Sequence, residues 1–391
     1  GSRTVGTLHG GPINNSSTIR KNVVGNMKYI VDGYECNIVI EKKNNKKYII
    51  WAYVLFFLLT ALRYDTGNDY QGYYTSLDYI CGYLFNGTGG FRTIWDNYLL
   101  ISDNEPMYLI LAYVFHWLPY PALFVIGAYT AISVFFFYKA FDEYKVHSIA
   151  FILFFASGFL FWYWDLIRQS VAIAIFFYSL KYIRDGSLWR YVALILFAML
   201  FHYSAIFLLL FYPLRYVKLN KWIYVGVIMA SVVVLFAGYS FDNIFDVIGD
   251  LPFYDSYEND KRIGTHYEGF GYKLRLTCYA LVAVVAVLRS PKTDAYLKGI
   301  VTIGVVLLVM SQGNLLVDRI AVYPYYAVII AFGVAIKKSR NIYAVAGWML
   351  VAALFVLQGK SVLDKADRGC SPYNTVFSDD FAHGRFKEKD Y

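Results

Sequence analysis

Residues 63–74 form a tyrosine-rich segment, RYDTGNDYQGYY, directly after an apolar run, and its side chains could bind a substrate. Tyrosine is common at membrane–water interfaces, so the segment can be a helix cap with aromatic anchors. The same tyrosines with a carboxylate also suit a carbohydrate, because sugar rings stack on aromatic faces and sugar hydroxyls donate to carboxylates. In this second interpretation Tyr70, Tyr73 and Tyr74 bind sugar, and Asp69 is a candidate base.

Three arginines lie at the edges of apolar segments, where they could bind a phosphate group. Arg168 and Gln169 come shortly after Asp165. Arg275 lies near the start of one apolar run, and Arg319 immediately precedes another. Guanidinium binds phosphate oxygens bidentately and keeps its charge, so each arginine is a candidate anion-binding residue. The alternatives are a structural pair between Arg168 and Asp165 and ordinary arginines at a membrane edge.

Glu105 and His202 are the remaining candidates for chemistry. Glu105 precedes Pro106, and this pair is favoured at a helix start by geometry and dipole alone, whereas the alternative is a sugar-binding carboxylate. His202 is the only histidine within a long apolar run. Such a histidine is either a hydrogen-bonded structural group or a general base. The sequence therefore leaves His202 and Asp69 as two candidate bases.

Motifs of several enzyme classes are absent from the sequence. It contains no HExxH zinc-binding motif, no GxSxG nucleophile motif and no GxxxxGK[ST] phosphate loop. No DxD-like pair of acids stands at the end of an apolar run to hold a divalent metal. These absences argue against a protease, a hydrolase and a nucleotide-driven pump, and we expect no cofactor and no metal.

Composition predicts the elements that position these side chains. The 391 residues are 58% hydrophobic, 20% aromatic and only 16% charged, with a mean hydropathy of +0.43. Soluble domains contain about 25% charged residues. Apolar runs alternate here with short charged loops, and about 17–25 apolar residues form a helix that crosses a membrane. We therefore expect an all-α, multi-pass integral membrane protein with about 10–12 membrane segments, some of them short or re-entrant.

Charged loops predict the membrane topology. Lysine and arginine clusters mark cytoplasmic loops, which also explains the net charge of +8 without a nucleic-acid partner. We expect a polar leader with a lysine-rich cytoplasmic segment at 1–47, a membrane domain at 48–358 and a polar outer tail at 359–391. The acidic loops 64–106 and 241–272 lie outside in this topology. The apolar runs are 48–62, 121–138, 148–164, 168–183, 222–240, 273–288, 299–314, 320–336 and 341–357.

Two segments do not fit a single crossing. Residues 190–214 connect two basic loops, so they must cross the membrane an even number of times. The polar break His202–Ser204 is where we expect the chain to turn, and the two halves are then short or re-entrant helices. Residues 107–118 are too short to span, and we expect a half-helix that enters from the outside.

These segments together resemble the EpsG/Wzy-type polysaccharide polymerase family. Residues 62–70 with Tyr73 are similar to the family signature R-Y-x-x-G-x-D-Y-x-x-Y. The likeness covers about 48–377, and the ordered set of motifs is more specific than any one of them. Residues 27–41 depart from the family, because they are polar where an apolar first span is usual, so the first helix is missing or replaced. The other similar elements are Glu105–Tyr108 (with Met107 in place of a family glycine), Arg168–Ala172, Phe201–Ala205, Asp318–Arg319 and Ser371–Phe377.

The resemblance implies a GT-C-like polymerase or ligase architecture and a metal-independent glycosyltransferase. Its substrates would be oligosaccharide repeat units of an O-antigen, capsule or exopolysaccharide, linked to a polyprenyl diphosphate such as undecaprenyl diphosphate. The active face would lie outside the bacterial plasma (inner) membrane. Partners would be membrane lipid, and a flippase and a chain-length regulator of the same pathway. The alternatives are an O-antigen ligase-like transferase and a lipid-linked saccharide flippase or transporter.

The same resemblance implies roles for the candidate residues. Arg168 and Arg319 would bind the diphosphate, with Arg63 assisting or bracing the turn. His202 or Asp69 would be the base. The remaining substrate-binding candidates are Tyr70, Tyr73, Tyr74, Glu105, Asp165, Gln169, Ser204, Arg275 and Tyr373.

Overall fold

The computed structural model describes most of the chain, which divides into two units, Gly1–Ala52 and Tyr53–Tyr391. Most of the second acidic loop, part of the first and the start of the polar tail lie outside the described residues, together with the predictions made for them. The described residues are 23–31, 34–41, 46–85, 105–238, 269–311, 315–337, 342–364, 373–384 and 386.

The N-terminal unit contains a β-hairpin. Strand β1 (Val23–Val31) pairs antiparallel with β2 (Tyr34–Glu41). Both segments are rich in the β-branched residues that favour strands. They lie within the segment that we expected to be a polar leader, and no strand was expected there.

Helices make up nearly all of the other described elements. A π-helix covers Ile80–Phe85, directly after the α-helix Tyr70–Tyr79, and a 3₁₀ helix covers Tyr203–Tyr216. The α-helices are α1 (Lys46–Ala61), α2 (Tyr70–Tyr79), α3 (Pro106–Phe115), α4 (Pro121–Tyr144), α5 (His147–Ala156), α6 (Phe159–Asp165), α7 (Ile167–Asp185), α8 (Leu188–Met199), α9 (Lys221–Ala237), α10 (Phe270–Arg289), α11 (Ala295–Met310), α12 (Leu315–Tyr326), α13 (Val328–Ile336), α14 (Ile342–Asp364) and the short α15 (Asp379–Ala382).

Four of the described helical segments are long and apolar enough to cross a membrane, which confirms the expected all-α, multi-pass class. A fifth span is possible if α5 and α6 count as one bent segment. Four further apolar helices, α3, α8, α9 and α11, are shorter, as expected for a protein with half-length segments. The four long segments are Pro121–Tyr144, Phe270–Arg289, Val317–Ile336 and Ile342–Lys360.

Helix α7 lies in the interior of the helical unit. Its residues 171–177 read VAIAIFF, and all seven are buried. A helix that is apolar all round is one that packs against protein on every side. Its main neighbour is α4, whose Phe137 contacts Phe177 with ring centroids 5.8 Å apart. The N-terminal end of α7, which carries Arg168, is therefore held by a rigid core.

The expected span 148–164 is not one straight helix, because the chain bends by 74° between α5 and α6. Gly158 has a φ of +72° at this bend. The positive φ disfavours any residue with a Cβ atom, and that atom would also lie 2.4 Å from the Gln358 side chain. Phe159, the next residue, packs with its ring centroid 4.6 Å from that of Phe154 across the bend.

The chain breaks where the topology of 190–214 requires it to turn. Helix α8 ends at Met199, His202 has an extended backbone, and the 3₁₀ helix begins at Tyr203. The predicted half-helix at 107–118 is α3, which has ten residues. The expected break within 190–214 and the expected short helix at 107–118 are therefore both observed, and His202 lies at a junction between helices. The number of crossings and the side from which α3 enters stay predictions.

The C-terminal segment is attached to the turn after α1. Tyr64 donates its N–H to the Asn374 carbonyl at 2.9 Å, and Val376 donates to the Leu62 carbonyl at 3.0 Å. The side-chain hydroxyl of Tyr373 donates to the Leu59 carbonyl. These bonds form a short antiparallel bridge, so residues 373–378 are part of the helical unit.

Candidate active site

The structure brings Glu105, Arg168 and His202 together in one buried cluster. Arg168 donates from Nη1 to Glu105 Oε2, and His202 Nδ1 lies 2.6 Å from Glu105 Oε1. Glu105 is 3% exposed and His202 is 7% exposed. Each oxygen of one carboxylate therefore has its own charged or titratable partner. We call Glu105, Arg168 and His202 the central triad.

Two helix ends create this arrangement. Glu105 is the N-cap of α3 and Pro106 is its first residue, so Met107 has one of the first N–H groups without a partner inside the helix. That N–H donates to the Leu200 carbonyl at 3.0 Å, just beyond the C-terminus of α8. This one backbone bond joins the segment that holds Glu105 to the junction that holds His202.

Electrostatics keep Glu105 ionised. Burial by itself opposes ionisation, but Arg168 and His202 together lower the pKa of Glu105 to about 2. The negative charge of this buried carboxylate is compensated, because a guanidinium pairs with one of its oxygens and a hydrogen-bonded imidazole with the other. Glu105 is therefore an anion at every physiological pH, and it can only accept hydrogen bonds.

The ionised carboxylate determines the tautomer of His202. Because Glu105 accepts only, His202 must donate from Nδ1. Burial lowers the pKa of His202, with Glu105 opposing and Arg319 and Arg168 reinforcing the shift. The neutral ring therefore carries its lone pair on Nε2, which is buried and has no hydrogen-bond partner among the described residues. An imidazole that is oriented by a carboxylate and has a lone pair on its other nitrogen can act as a general base.

Tyrosine rings surround the guanidinium of Arg168. Its Cζ lies 5.4 Å from the centroid of the Tyr73 ring and 5.2 Å from that of Tyr108. Both contacts are within the range of cation–π attraction, which fixes the plane of the guanidinium. Tyr108 also donates its hydroxyl to the Tyr73 carbonyl at 3.3 Å, which joins α2 to α3.

Two aromatic residues of the site were given no role in the sequence analysis, although Tyr108 belongs to the Glu105–Tyr108 element. Tyr108 follows Glu105 by three residues, and that helical spacing could have identified it. Tyr129 is a fully buried residue of α4 whose hydroxyl has no hydrogen-bond partner among the described residues. Its ring packs against Phe201, beside the central triad, at a centroid distance of 5.7 Å. No local pattern distinguishes Tyr129 from the other tyrosines of the chain.

Three other predicted residues lie beside the central triad. Gln169 donates from Nε2 to the Arg319 carbonyl, which ties α7 to α12. Arg319 is close enough to His202 to lower its pKa. Ser204 shares a hydrogen bond of 3.0 Å with the Tyr323 hydroxyl, so the start of the 3₁₀ helix is also held against α12.

Asp69, the second candidate base, is the N-cap of α2. Its carbonyl accepts the N–H of Tyr73 at 3.0 Å, and its carboxylate is close enough to Tyr73 to oppose ionisation of that hydroxyl. No side chain among the described residues orients the carboxylate in the way that Glu105 orients His202. The geometry thus favours His202 over Asp69 as the base.

Arg63 lies in a bracing position. It is completely buried, and its guanidinium donates to three backbone carbonyls: Thr60 at 2.8 Å, Thr66 at 3.2 Å and Trp164 at 3.0 Å. The Tyr70 ring, also fully buried, is 5.6 Å from the guanidinium carbon. Of the two roles expected for Arg63, these contacts favour bracing over substrate binding, and they place Tyr70 in the packing behind the turn.

Asp165 supports the same turn. Its Oδ1 accepts the Asn68 N–H at 2.8 Å, next to Gly67, which has a φ of +104°. The alternative reading of Arg168 paired it with Asp165, whereas the carboxylate that Arg168 binds in the central triad is Glu105. Asp165 therefore orders the segment that leads into α2.

Replacing Gly67 by alanine is expected to destabilise the protein. The left-handed conformation costs about 1–2 kcal/mol for a residue with a Cβ atom. That atom would also lie 3.1 Å from the Trp164 carbonyl oxygen. Gly72→Ala is the control, because a Cβ at Gly72 meets nothing within 4 Å. Thermal unfolding in detergent should show a lower midpoint for Gly67→Ala only, and equal midpoints would contradict the strained turn.

The remaining candidates lie away from the central triad. Arg275 donates to Gln358 Oε1 at 3.3 Å, close to the Gly158 bend. Tyr373 packs against Trp164 with ring centroids 5.6 Å apart, and its hydroxyl is bonded to backbone. Tyr74 stacks with Tyr70 at 6.1 Å and lines a separate cavity. All three were expected to bind substrate, which stays a prediction, and the contacts observed for them are with other parts of the scaffold.

Comparison with known proteins agrees with this architecture. The model of the EpsG family matches residues 46–375, which is most of the chain and includes the whole central triad. No curated protein and no solved structure matches the chain. The resemblance found in the motifs is thus confirmed at the level of the family. The chain belongs to the EpsG family, and it is a polysaccharide polymerase-like membrane protein.

Proposed function

We propose that this protein polymerises polyprenyl-diphosphate-linked oligosaccharide repeat units on the outer face of the bacterial plasma membrane. It transfers the growing glycan from its lipid diphosphate to a hydroxyl at the non-reducing end of the next lipid-linked unit. The observation that carries the proposal is the central triad, in which an ionised Glu105 orients a neutral His202 beside Arg168.

His202 is the base in this reaction. Its Nε2 takes the proton of the acceptor hydroxyl while that oxygen attacks the anomeric carbon of the donor sugar. The bond between the anomeric carbon and the phosphate oxygen breaks, and the lipid diphosphate leaves with the electron pair. The imidazolium that forms is stabilised by Glu105, and a positioned base of this kind contributes about 10²–10⁴-fold to a rate.

Arginines stabilise the leaving group. The diphosphate gains negative charge as the glycosidic bond breaks, and fixed cations in a partly buried site stabilise such charge without reorganisation. Arg168 is held in place by Glu105, Tyr73 and Tyr108, and Arg319 lies near His202. We assign both guanidinium groups to the phosphate oxygens, since the planar fork suits bidentate contacts.

The outer location rests on the charge pattern of the chain. Basic clusters mark the inner loops, and the segments with Glu105 and His202 fall on the opposite side in that topology. Lipid-linked sugars carry their own activated leaving group. A site that works on them needs no nucleotide sugar, which agrees with the absence of a phosphate-loop motif.

Purified protein and a lipid-linked repeat unit, with no other enzyme, are sufficient to test the proposal. A ladder of longer glycans is expected, and His202→Gln should not form it. An unchanged substrate, in an assay where the same lipid is consumed by a second active polymerase, would contradict polymerisation and favour transport. Transfer to a different lipid acceptor without any ladder would favour the ligase-like alternative.

Arg168→Lys is expected to reduce the polymerisation rate about 10- to 100-fold. Lysine keeps the charge but loses the planar fork, and a hydrogen bond to a charged group contributes about 1.5–3 kcal/mol. Arg184→Lys is the matched control on the same helix, because Arg184 pairs with Glu143 in a partly exposed ion pair. Comparing ladder formation at equal protein amounts gives the rates. If both variants keep their activity, Arg168 does not bind the diphosphate.

A further inference from the structure

A second recess lies on the face of α2 next to the one that carries Tyr73. It is a cavity of about 660 Å³ between α2, the following π-helix and the C-terminal residues 381–386. Ligand-binding pockets usually enclose about 300–1,000 Å³, so its size suits a small organic ligand. We call it the aromatic cavity, because Tyr64, Tyr74, Tyr79, Tyr120, Phe381 and Phe386 line it.

Helix α2 connects the aromatic cavity to the reaction site. Tyr73 faces the guanidinium of Arg168, whereas Tyr74, the next residue, packs against Phe386 with ring centroids 5.7 Å apart. Successive residues of a helix project about 100° apart, so the two tyrosines present neighbouring faces of one helix. A chain that passes over α2 can therefore contact both sites.

The charge of the described lining disfavours a phosphate group as the occupant. Asp78 has the only carboxylate among the described residues that line the cavity. These described residues include no arginine and no lysine. A carboxylate repels an anionic diphosphate, and the described part of the lining offers no cation to compensate it. We therefore assign the lipid diphosphate to Arg168 and Arg319 and not to this cavity.

The chemistry of the lining also disfavours a polyprenyl chain. Its apolar surface is aromatic, and among the described lining residues Ala382 has the only aliphatic side chain. Tyrosine hydroxyls, the Thr75 hydroxyl and the Asp78 carboxylate add polar groups around the rings. Aromatic faces combined with hydroxyl and carboxylate acceptors are the groups that bind sugar rings and their hydroxyls.

We propose that the aromatic cavity is a glycan-binding subsite. It holds sugar residues of the substrate on one side of α2, whereas the reacting bond lies on the neighbouring face of this helix. That the glycan is the polymerase substrate rests on the proposed function, whereas the ability of the cavity to bind a glycan rests on its lining alone. A helix is about 10 Å thick, so the subsite would hold part of the repeat unit or polymer that does not react. Binding there would retain the glycan between successive transfers.

Gly82 allows the cavity to be filled without disturbing the packing. It lines the cavity, and a Cβ atom on it would meet nothing within 4 Å. Gly72 is the matched control, since it lies on α2, also has open space at its Cβ and does not line the cavity. The experiment compares Gly82→Trp with Gly72→Trp. Asp78→Asn, which removes the carboxylate with almost no change in shape, is the second test variant.

The probe is the oligosaccharide released by mild acid from the lipid-linked repeat unit, and its binding to detergent-solubilised protein is followed by saturation-transfer NMR. We expect Gly82→Trp to raise the dissociation constant at least tenfold and Asp78→Asn to raise it several-fold, with Gly72→Trp equal to wild type. In the polymerisation assay Gly82→Trp should give shorter ladders. Equal affinity in all four proteins would overturn the subsite.

Two further outcomes separate the subsite from the proposed function. If wild-type protein forms ladders and Gly82→Trp leaves both glycan affinity and ladder length unchanged, the subsite is wrong and the polymerase stands. If no ladder forms but glycan binding is lost in Gly82→Trp, the subsite stands and the polymerase is wrong. Competition by polyprenyl phosphate without sugar would show a lipid site instead and would overturn the inference.

Discussion

Glu105→Gln is expected to lower the polymerisation rate by about four orders of magnitude. Glutamine has nearly the same shape, but its neutral amide offers one acceptor oxygen where Glu105 uses two, for Arg168 and for His202. When a carboxylate that orients a catalytic histidine is replaced by an amide, the rate of the enzyme falls about 10⁴-fold, because the histidine ring adopts the wrong tautomer. The buried guanidinium of Arg168 also loses the anion that compensates its charge.

The measurement is the initial rate of ladder formation by protein of verified folding. Glu143→Gln is the matched control, because Glu143 also pairs with an arginine, Arg184, but in a partly exposed position. That variant should keep nearly the wild-type rate, since exposed pairs contribute about 0–1 kcal/mol. A folded Glu105→Gln protein that retains more than a tenth of the activity would remove Glu105 from the mechanism.

His202→Gln is expected to cost about 10²–10⁴-fold in rate, the usual contribution of a general base. Glutamine can still donate to Glu105, but it cannot accept a proton at neutral pH, which separates positioning from proton transfer. His147→Gln is the control, since His147 is also buried and bonded to a hydroxyl and a carboxylate, those of Tyr53 and Asp142. Equal rates for His202→Gln and wild type would leave Asp69 as the base to be tested.

The pH dependence of the rate gives an independent check. The pKa of Glu105 is about 2, so Glu105 stays ionised throughout an assay range of roughly pH 4 to pH 8. The pKa of His202 is lowered by burial, and the base is therefore neutral and active at neutral pH. As the pH falls, Nε2 becomes protonated and activity is lost, with a midpoint below about 6.5. An acid limb above that value would contradict a buried neutral His202.

The membrane class and the short segments followed from the sequence alone. Long apolar runs can satisfy their backbone groups in lipid only as helices, so composition determines the class. The turn near His202 followed from counting charges on either side of 190–214, because a helix that starts and ends on one side must reverse. Both arguments depend on local composition, which is fully contained in the sequence.

The separate roles of the tyrosines in segment 63–74 could not be predicted from local composition. Its tyrosines look alike in sequence, but Tyr70 is buried behind Arg63, Tyr73 faces Arg168 and Tyr74 lines the aromatic cavity. Which face of a short helix meets which neighbour depends on the packing of distant segments. Arg63 itself was a candidate for substrate binding or bracing, and only its three carbonyl partners distinguish the two roles.

The central triad was decided by tertiary structure in the same way. Glu105, Arg168 and His202 were each identified as candidates, yet Arg168 had an acid three residues away in Asp165 and no visible reason to prefer Glu105, which is 63 residues distant. His202 is 97 residues from the carboxylate that orients it. Sequence determines which groups can do chemistry, because that depends on side-chain type and burial in an apolar run. Their pairing depends on the ends of α3, α7 and α8 meeting at one point, and only the packed helices, joined there by the bond from Met107 to Leu200, produce that meeting.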